Sequence, residues 1–219
     1  MNILKRIYRK YILYKKSIKY KDVIFIDPNE VKYQMKKEKK FRKNIYLVNS
    51  LGGDWDLNIR ERYGEDDETY VSMKDHFVND KDWLQTKIFT RRYTRLFNKN
   101  KSVRGCNNLK ELKNNYENYI DKLYFDIKTN GFLMPYDDIN SEPIGVYIGR
   151  DGRIIYSDSG NHRLCIAKVL DLPSIPVYVH LRHRKWAKKK KQITNMLKKG
   201  KDIDIELLNH PDLKLIKNS

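Results

Sequence analysis

The apolar positions between residues 144 and 181 fall into short runs separated by turn chemistry and one helical stripe. IGVYI and RIIYS are runs of strand length, joined by Gly149-Arg150-Asp151-Gly152, so the pattern predicts a β-hairpin. Ser159-Gly160 then opens a helix whose stripe is Cys165, Ile166, Val169 and Leu170. Leu172-Pro173 ends that helix, and SIPVYVHL reads as a third strand. Upstream, Leu109, Leu112, Tyr116, Tyr119, Leu123 and Ile127 step by three and four residues to Asn130-Gly131, a long helix with the usual C-terminal stop. A second helix is expected over 81–97, capped by Asp80, with Trp83, Leu84, Ile88, Tyr93 and Leu96 apolar. DVIFID, stopped by Pro28, and IYLV, running into Gly52-Gly53, read as strands. The two ends read as basic helices: 1–21 with Leu4, Ile7, Tyr8, Tyr11, Tyr14 and Ile18 as its stripe, and 185–199 with Trp186, Ile193 and Leu197.

Strands and helices in this order predict an α+β fold, a small mixed sheet packed with helices and flanked by basic helical arms. The 219 residues suit one domain with arms: 1–21, a body over 22–181 with a helical insertion at about 52–118, and 182–219. Sixteen Tyr, seven Phe and three Trp argue against disorder. No apolar run reaches the roughly 18–20 residues of a membrane span, and the N-terminus has no apolar core of a secretory signal. Cys106 and Cys165 make no disulfide framework and too few ligands for zinc, which fits free thiols in a reducing cytosol.

The net charge of +18 changes this picture only after it is divided. Residues 1–21 carry eight Lys/Arg and no acid, and 182–219 carry twelve against four, so each end holds +8. The body, 22–181, holds 26 bases and 24 acids. Polyanion affinity is therefore expected in the ends, 1–21 and 182–201, toward DNA or the anionic inner face of a membrane, and not in the body.

The stretch SDSGNHR between strand and helix is where chemistry is expected. The first amides of a helix have no internal partner and carry partial positive charge, so a phosphate is at home there. Ser159, Gly160, Asn161, His162 and Arg163 are the candidate phosphate ligands: Gly160 for close backbone approach, Arg163 for a bidentate grip, His162 as donor. Asp158 at the strand end can hold a metal or a sugar hydroxyl. The same residue types are ordinary helix caps, and His162 shares the buried side of the helix, so a purely structural reading stands beside the functional one. Gly52-Gly53-Asp54-Trp55-Asp56 is a second candidate, with Asp54 and Asp56 as Mg²⁺ ligands or sugar contacts and Trp55 as a stacking surface, or as a capped turn with a core Trp.

DSGNHRLCIAKVLDLPSIPVYV resembles the nucleotide-binding core of the ParB/sulfiredoxin superfamily. YFDIKTNGFLMPYDD is similar to that family's lead-in, and DVIFIDPNEV to its first strand. The resemblance covers roughly 120–181, with a weaker anchor at 22–31. It implies nucleotide phosphates (ATP, ADP or CTP, with Mg²⁺) at Gly160–Arg163, and phosphate-directed chemistry in several members. Asn161 stands where sulfiredoxins carry their nucleophilic Cys, so sulfinic acid reduction is not expected. The box reads G-N-H-R, and the 38 residues after Leu181 leave no room for the DNA-binding domain of partitioning proteins. Free-serine kinases in the family keep a general base near the end of the first strand, a place that Glu30 approaches.

Two readings follow. The first is a cytoplasmic nucleotide-dependent phosphotransferase or hydrolase acting on a small polar substrate, with Glu30, Asp158 and His162 as its catalytic groups and Asp54, Asp56 and Asp158 as its Mg²⁺ ligands. The second is a nucleotide-sensing module that holds DNA or an anionic membrane through its ends.

Overall fold

The computed structural model describes residues 23–36, 48–62, 64, 67–131 and 144–217, with side chains to 214. Its centre is the unit expected at 144–181. Strand β5 (Gly145–Ile148) turns through 149–153 into β6 (Ile154–Tyr156), the two pairing antiparallel. Helix α5 (Asn161–Val169) crosses back, and β7 (Ile175–His183) returns parallel to β5. Val146, Ile148, Ile154, Tyr156, Val177 and Val179 form a buried face with Leu164 and Ala167 of α5, burial that drives this layer together.

The sheet grows from that unit at both edges. β1 (Val23–Ile26) pairs antiparallel with the first half of β7, and β3 (Ser50–Leu51) pairs parallel with its end. On the other side, β2 (Tyr33–Met35) lies parallel to β6, and β4 (Ile59–Glu61) closes the edge antiparallel to β2. Among the described residues this is a seven-stranded mixed sheet of order β1-β7-β5-β6-β2-β4, with β3 on β7. The fold is α+β, as the pattern predicts. Residues 52–62 belong to this sheet and its turns, so the helical part of the expected insertion starts later, at α1.

Helix α1 (Glu68–Phe77) is not expected from the sequence: its cap, Asp67, sits in an acid-rich run, and its oxygen accepts from the amides of Thr69 and Tyr70. The helix expected over 81–97 is broken. Asp82, not Asp80, caps a single 3₁₀ turn at Trp83–Gln85, and a π-helical stretch, Ile88–Tyr93, runs into α2 (Thr94–Phe97). Asp80 has positive φ and sits in the turn before that 3₁₀ segment. The long helix is present as α3 (Leu109–Tyr116), a π-helical turn over Glu117–Asp121, and α4 (Lys122–Asn130), ended by Gly131 at φ +74°. These helices build an aromatic core around Trp83, Phe89 and Tyr116, closed against α5 by Cys165 and Ile166. Both cysteines are buried free thiols.

His76 is part of that aromatic core and stacks on Trp83, centroids 4.1 Å apart. Its Nδ1 donates to the Lys81 carbonyl at 2.7 Å, and Nε2 lies 3.5 Å from Asp121, which also accepts from the Trp83 indole. Burial pulls the imidazole pKa down, but Asp121 and the Lys81 carbonyl outweigh it and hold it above the ordinary value. A raised His pKa stabilises the fold fully below the unfolded value of about 6.5 and loses that contribution as pH rises through the folded value. His76→Gln should therefore destabilise more at pH 6 than at pH 8; urea melts at both values read the difference, and equal losses would contradict the assignment.

The chain after 181 is not a free arm. α6 (Arg184–Lys198) buries Trp186 and Ile193 against the sheet, and two short helices follow, α7 (Ile205–Leu208) and α8 (Pro211–Lys217). Leu213 is fully buried, and Asp212 accepts from Arg182, Trp186 and Lys190. The expected helix over 1–21, most of the IYLV strand and the lead-in from Phe132 to Asp138 lie outside the described residues. No helix among the described residues is long and apolar enough to cross a membrane.

Candidate functional site

The N-terminal mouth of α5 differs from the starts of α1, α3, α6 and α7. Asp67, Asn108, His183 and Asp204 cap α1, α3, α6 and α7 with their side chains. α5 begins on Gly160, in the left-handed conformation at φ +76°, with no side-chain cap on its first amides. Only glycine fits: a Cβ there would lie 2.7 Å from the Cα of Ile144.

Each of the first three residues of α5 brings an arginine to the mouth. Asn161 Oδ1 accepts from Arg62 Nη2 at 2.9 Å, while Arg62 Nε is held by Asp67 at 2.9 Å and its guanidinium lies over the Tyr156 ring. His162 Nδ1 faces Arg104 Nη2 at 3.4 Å, and that guanidinium lies over the rings of Tyr116 and Tyr119. Arg163 itself is half-buried and has no hydrogen-bond or ion-pair partner among the described residues. A fourth arginine, Arg60, donates to Gln34 Oε1, and the Gln34 amide donates to Asp158. Burial, with Arg104 and Arg92 adding to it, pulls the His162 pKa down to about 4, so the imidazole is neutral near pH 7. Its Nδ1 accepts from Arg104, which leaves Nε2 as the donor. The first helix amides, the guanidinium groups of Arg62 and Arg104 and a neutral imidazole, with Arg163 on the first turn, make an environment that favours an anion.

Arg62 and Arg104 are not singled out by any sequence motif. Arg62 follows β4, and Arg104 sits at positive φ beside Gly105 in a tight turn closed by Val103 and Cys106. The one signal available beforehand is the preference of such turns for glycine at the second position.

Glu30 is not brought to this mouth. It ends a 3₁₀ turn, Pro28–Glu30, whose Asn29 reaches Asp171 just past the C-terminus of α5. Because β2 and β6 run parallel, Glu30, before β2, and Asp158, after β6, lie at opposite ends of the pair. The nine residues of α5 alone span about 13 Å. Burial and Asp27 raise the Glu30 pKa, while Lys214 opposes them.

The Gly52–Asp56 segment is a structural clamp. Trp55 is buried, edge-on to Tyr147, and its indole donates to the Leu51 carbonyl. Asp56 is buried and accepts from the Arg150 backbone amide at 2.7 Å and from its guanidinium at 2.8–3.1 Å. Burial raises the Asp56 pKa, but the Arg150 bonds outweigh it and hold the carboxyl below its ordinary value. Arg150 also holds Asp54 and the Gly53 carbonyl, and His183 Nε2 donates to the same carbonyl at 2.9 Å. With both carboxylates used by Arg150, and Asp158 tied to Gln34 on another part of the sheet, these three acids do not fit a protein-held Mg²⁺. Among the described residues no group of three His, Cys, Asp or Glu is arranged to hold a metal.

A further pair escapes sequence reading. The β5–β7 register skips His180, a bulge that turns its ring toward Ser157, Oγ to Nδ1 2.9 Å. Gly145 makes room, since a Cβ there would lie 2.2 Å from His180. Compared with known proteins, the chain matches no family model, no curated protein and no solved structure.

Proposed function

We propose that this protein binds a phosphorylated ligand, a nucleoside polyphosphate of the ATP, ADP or CTP type, at the mouth of α5. The observation that carries this reading is an uncapped helix start on Gly160 surrounded by Arg62, Arg104 and Arg163. The phosphate oxygens are received by the amides of Asn161, His162 and Arg163 and by the free guanidinium of Arg163, with His162 Nε2 as an additional donor. The hairpin–helix–strand order of 144–183 supports a ParB/sulfiredoxin-like unit, the resemblance on which the choice of a nucleotide rests.

Binding is supported better than phosphotransfer. Transfer needs an acceptor base beside the phosphates. Glu30, near the opposite end of α5, supports no such role, and Asp54 and Asp56 are occupied by Arg150. Any Mg²⁺ in this reading arrives on the phosphates of the nucleotide.

Titration calorimetry of the full chain against ATP, ADP and CTP tests this. Arg104→Ala and Arg163→Ala should each weaken binding by about 1.5–3 kcal/mol, roughly 10- to 150-fold, as expected for a hydrogen bond to a charged group. Wild-type affinity in both variants would overturn the assignment.

A further inference from the structure

The near-neutral body conceals a separation of charge. Residues 61–82 hold eight acids and three bases, whereas 83–110 hold eight Lys/Arg and no acid. Part of this basic segment is the helix running from Ile88 through Phe97, followed by its C-cap Asn98 and by Lys99 in the turn after it. Its apolar side, Ile88, Phe89 and Tyr93, is buried in the aromatic core, which holds the helix in place. On the outer side Arg91, Arg95 and Lys99 follow one another at four-residue steps along the sequence. All three are exposed, and none has an ion-pair partner among the described residues. Their neighbour Arg92, by contrast, is paired with Glu68. Thr90, Thr94 and Asn98 lie beside them on the same open surface.

We infer that this ridge is a docking surface for duplex nucleic acid, read through its sugar–phosphate backbone and independently of sequence. Exposed guanidinium and ammonium groups on one surface, without ion-pair partners among the described residues, suit a stiff polyanion carrying one charge per roughly 1.7 Å of its axis. Arginine, lysine and small polar side chains are the groups that contact phosphates and sugars. A membrane surface is disfavoured because an interfacial helix must offer its apolar face to lipid, and here that face is inside the protein. The π-helical stretch beneath Arg91 fits a functional surface, since such insertions cluster at functional sites. This reading reverses the expectation that only the ends of the chain carry polyanion affinity, and it is independent of the phosphate site at α5.

Fluorescence anisotropy of the full chain with a short labelled DNA duplex, between about 50 and 200 mM salt, tests it. The Arg91→Ala/Arg95→Ala/Lys99→Ala variant should bind at least tenfold more weakly. Its log–log salt slope should be shallower by about 2.7, that is, about 0.9 for each lost phosphate contact. Lys188→Ala/Lys189→Ala/Lys191→Ala removes the same charge from the exposed side of α6 and should change affinity less than threefold. The milder Arg91→Gln/Arg95→Gln variant, which keeps long helix-forming side chains, should show the same direction if the triple variant melts early. Nucleotide titration of the ridge variant should match wild type, which separates this outcome from that of the α5 site. Equal losses from both triple variants, no duplex binding by the wild type, or anionic vesicles bound as tightly as DNA would each overturn the proposal.

Discussion

Asp212→Ala is expected to destabilise the protein by about 3–5 kcal/mol, the usual cost of removing one partner of a buried ion pair. Asp212 is fully buried and takes hydrogen bonds from Arg182 Nε at 2.9 Å and Nη2 at 2.5 Å, from the Trp186 indole at 2.9 Å and from Lys190 at 2.8 Å. Its removal takes this counter-charge from the buried Arg182 and the acceptor from the indole N–H. At roughly 2–4 °C per kcal/mol for a domain of this size, the melting temperature should fall by about 6–20 °C. Burial raises the Asp212 pKa, but Arg182 and then Lys190 outweigh it and hold it below the ordinary carboxylate value. Its contribution is therefore present above the unfolded value of about 3.9 and lost as pH falls through the folded one. Asp54→Ala is the control: that carboxylate is 80% exposed on the same kind of arginine contact, and its loss should cost under about 1 kcal/mol. Equal melting of the two variants would show that the C-terminal helices are not held by this carboxylate.

Gly160→Ala should be the second large effect, and it should fall on the site as well as on the fold. A residue with a Cβ at φ +76° costs about 1–2 kcal/mol in backbone strain. The new methyl also meets the Ile144 Cα at 2.7 Å and N at 2.9 Å, backbone atoms that cannot rotate aside, adding about 1–3 kcal/mol. Gly53→Ala isolates the first contribution, because φ is +86° there and nothing lies within 4 Å. Urea melts should therefore rank Gly160→Ala below Gly53→Ala by 1 kcal/mol or more, and nucleotide affinity should drop only in the former. The reverse ranking would mean that the helix start tolerates a side chain.

The hairpin, α5 and β7 are legible in the sequence because their strongest interactions are local: apolar runs, a Gly-containing turn, a helix start and a Leu-Pro stop within 40 residues. The long helix ending at Asn130 is legible for the same reason, although its π-helical turn is not. What could not be read depends on partners far along the chain. Arg62 meets Asn161 across 99 residues, and Arg104 meets His162 across 58. Asp56 looks like a ligand in isolation, and only the fold brings Arg150, 94 residues away, onto it. The tail reads as a solvated basic arm because its lysines dominate the composition, while its anchorage rests on a few buried side chains, among them Trp186, Asp212 and Leu213. The near-neutral sum of the body hides a local pattern, since adjacent acidic and basic segments cancel in the total but occupy different elements.

Whether the mouth of α5 receives phosphate can be read residue by residue from nuclear magnetic resonance of the full chain as ATP is added. The amide signals of Asn161, His162 and Arg163 and the imidazole signals of His162 should move together and saturate, and Arg163→Ala should weaken that response. Shifts that spare these residues, or that are confined to the exposed lysines of α6, would contradict phosphate binding there.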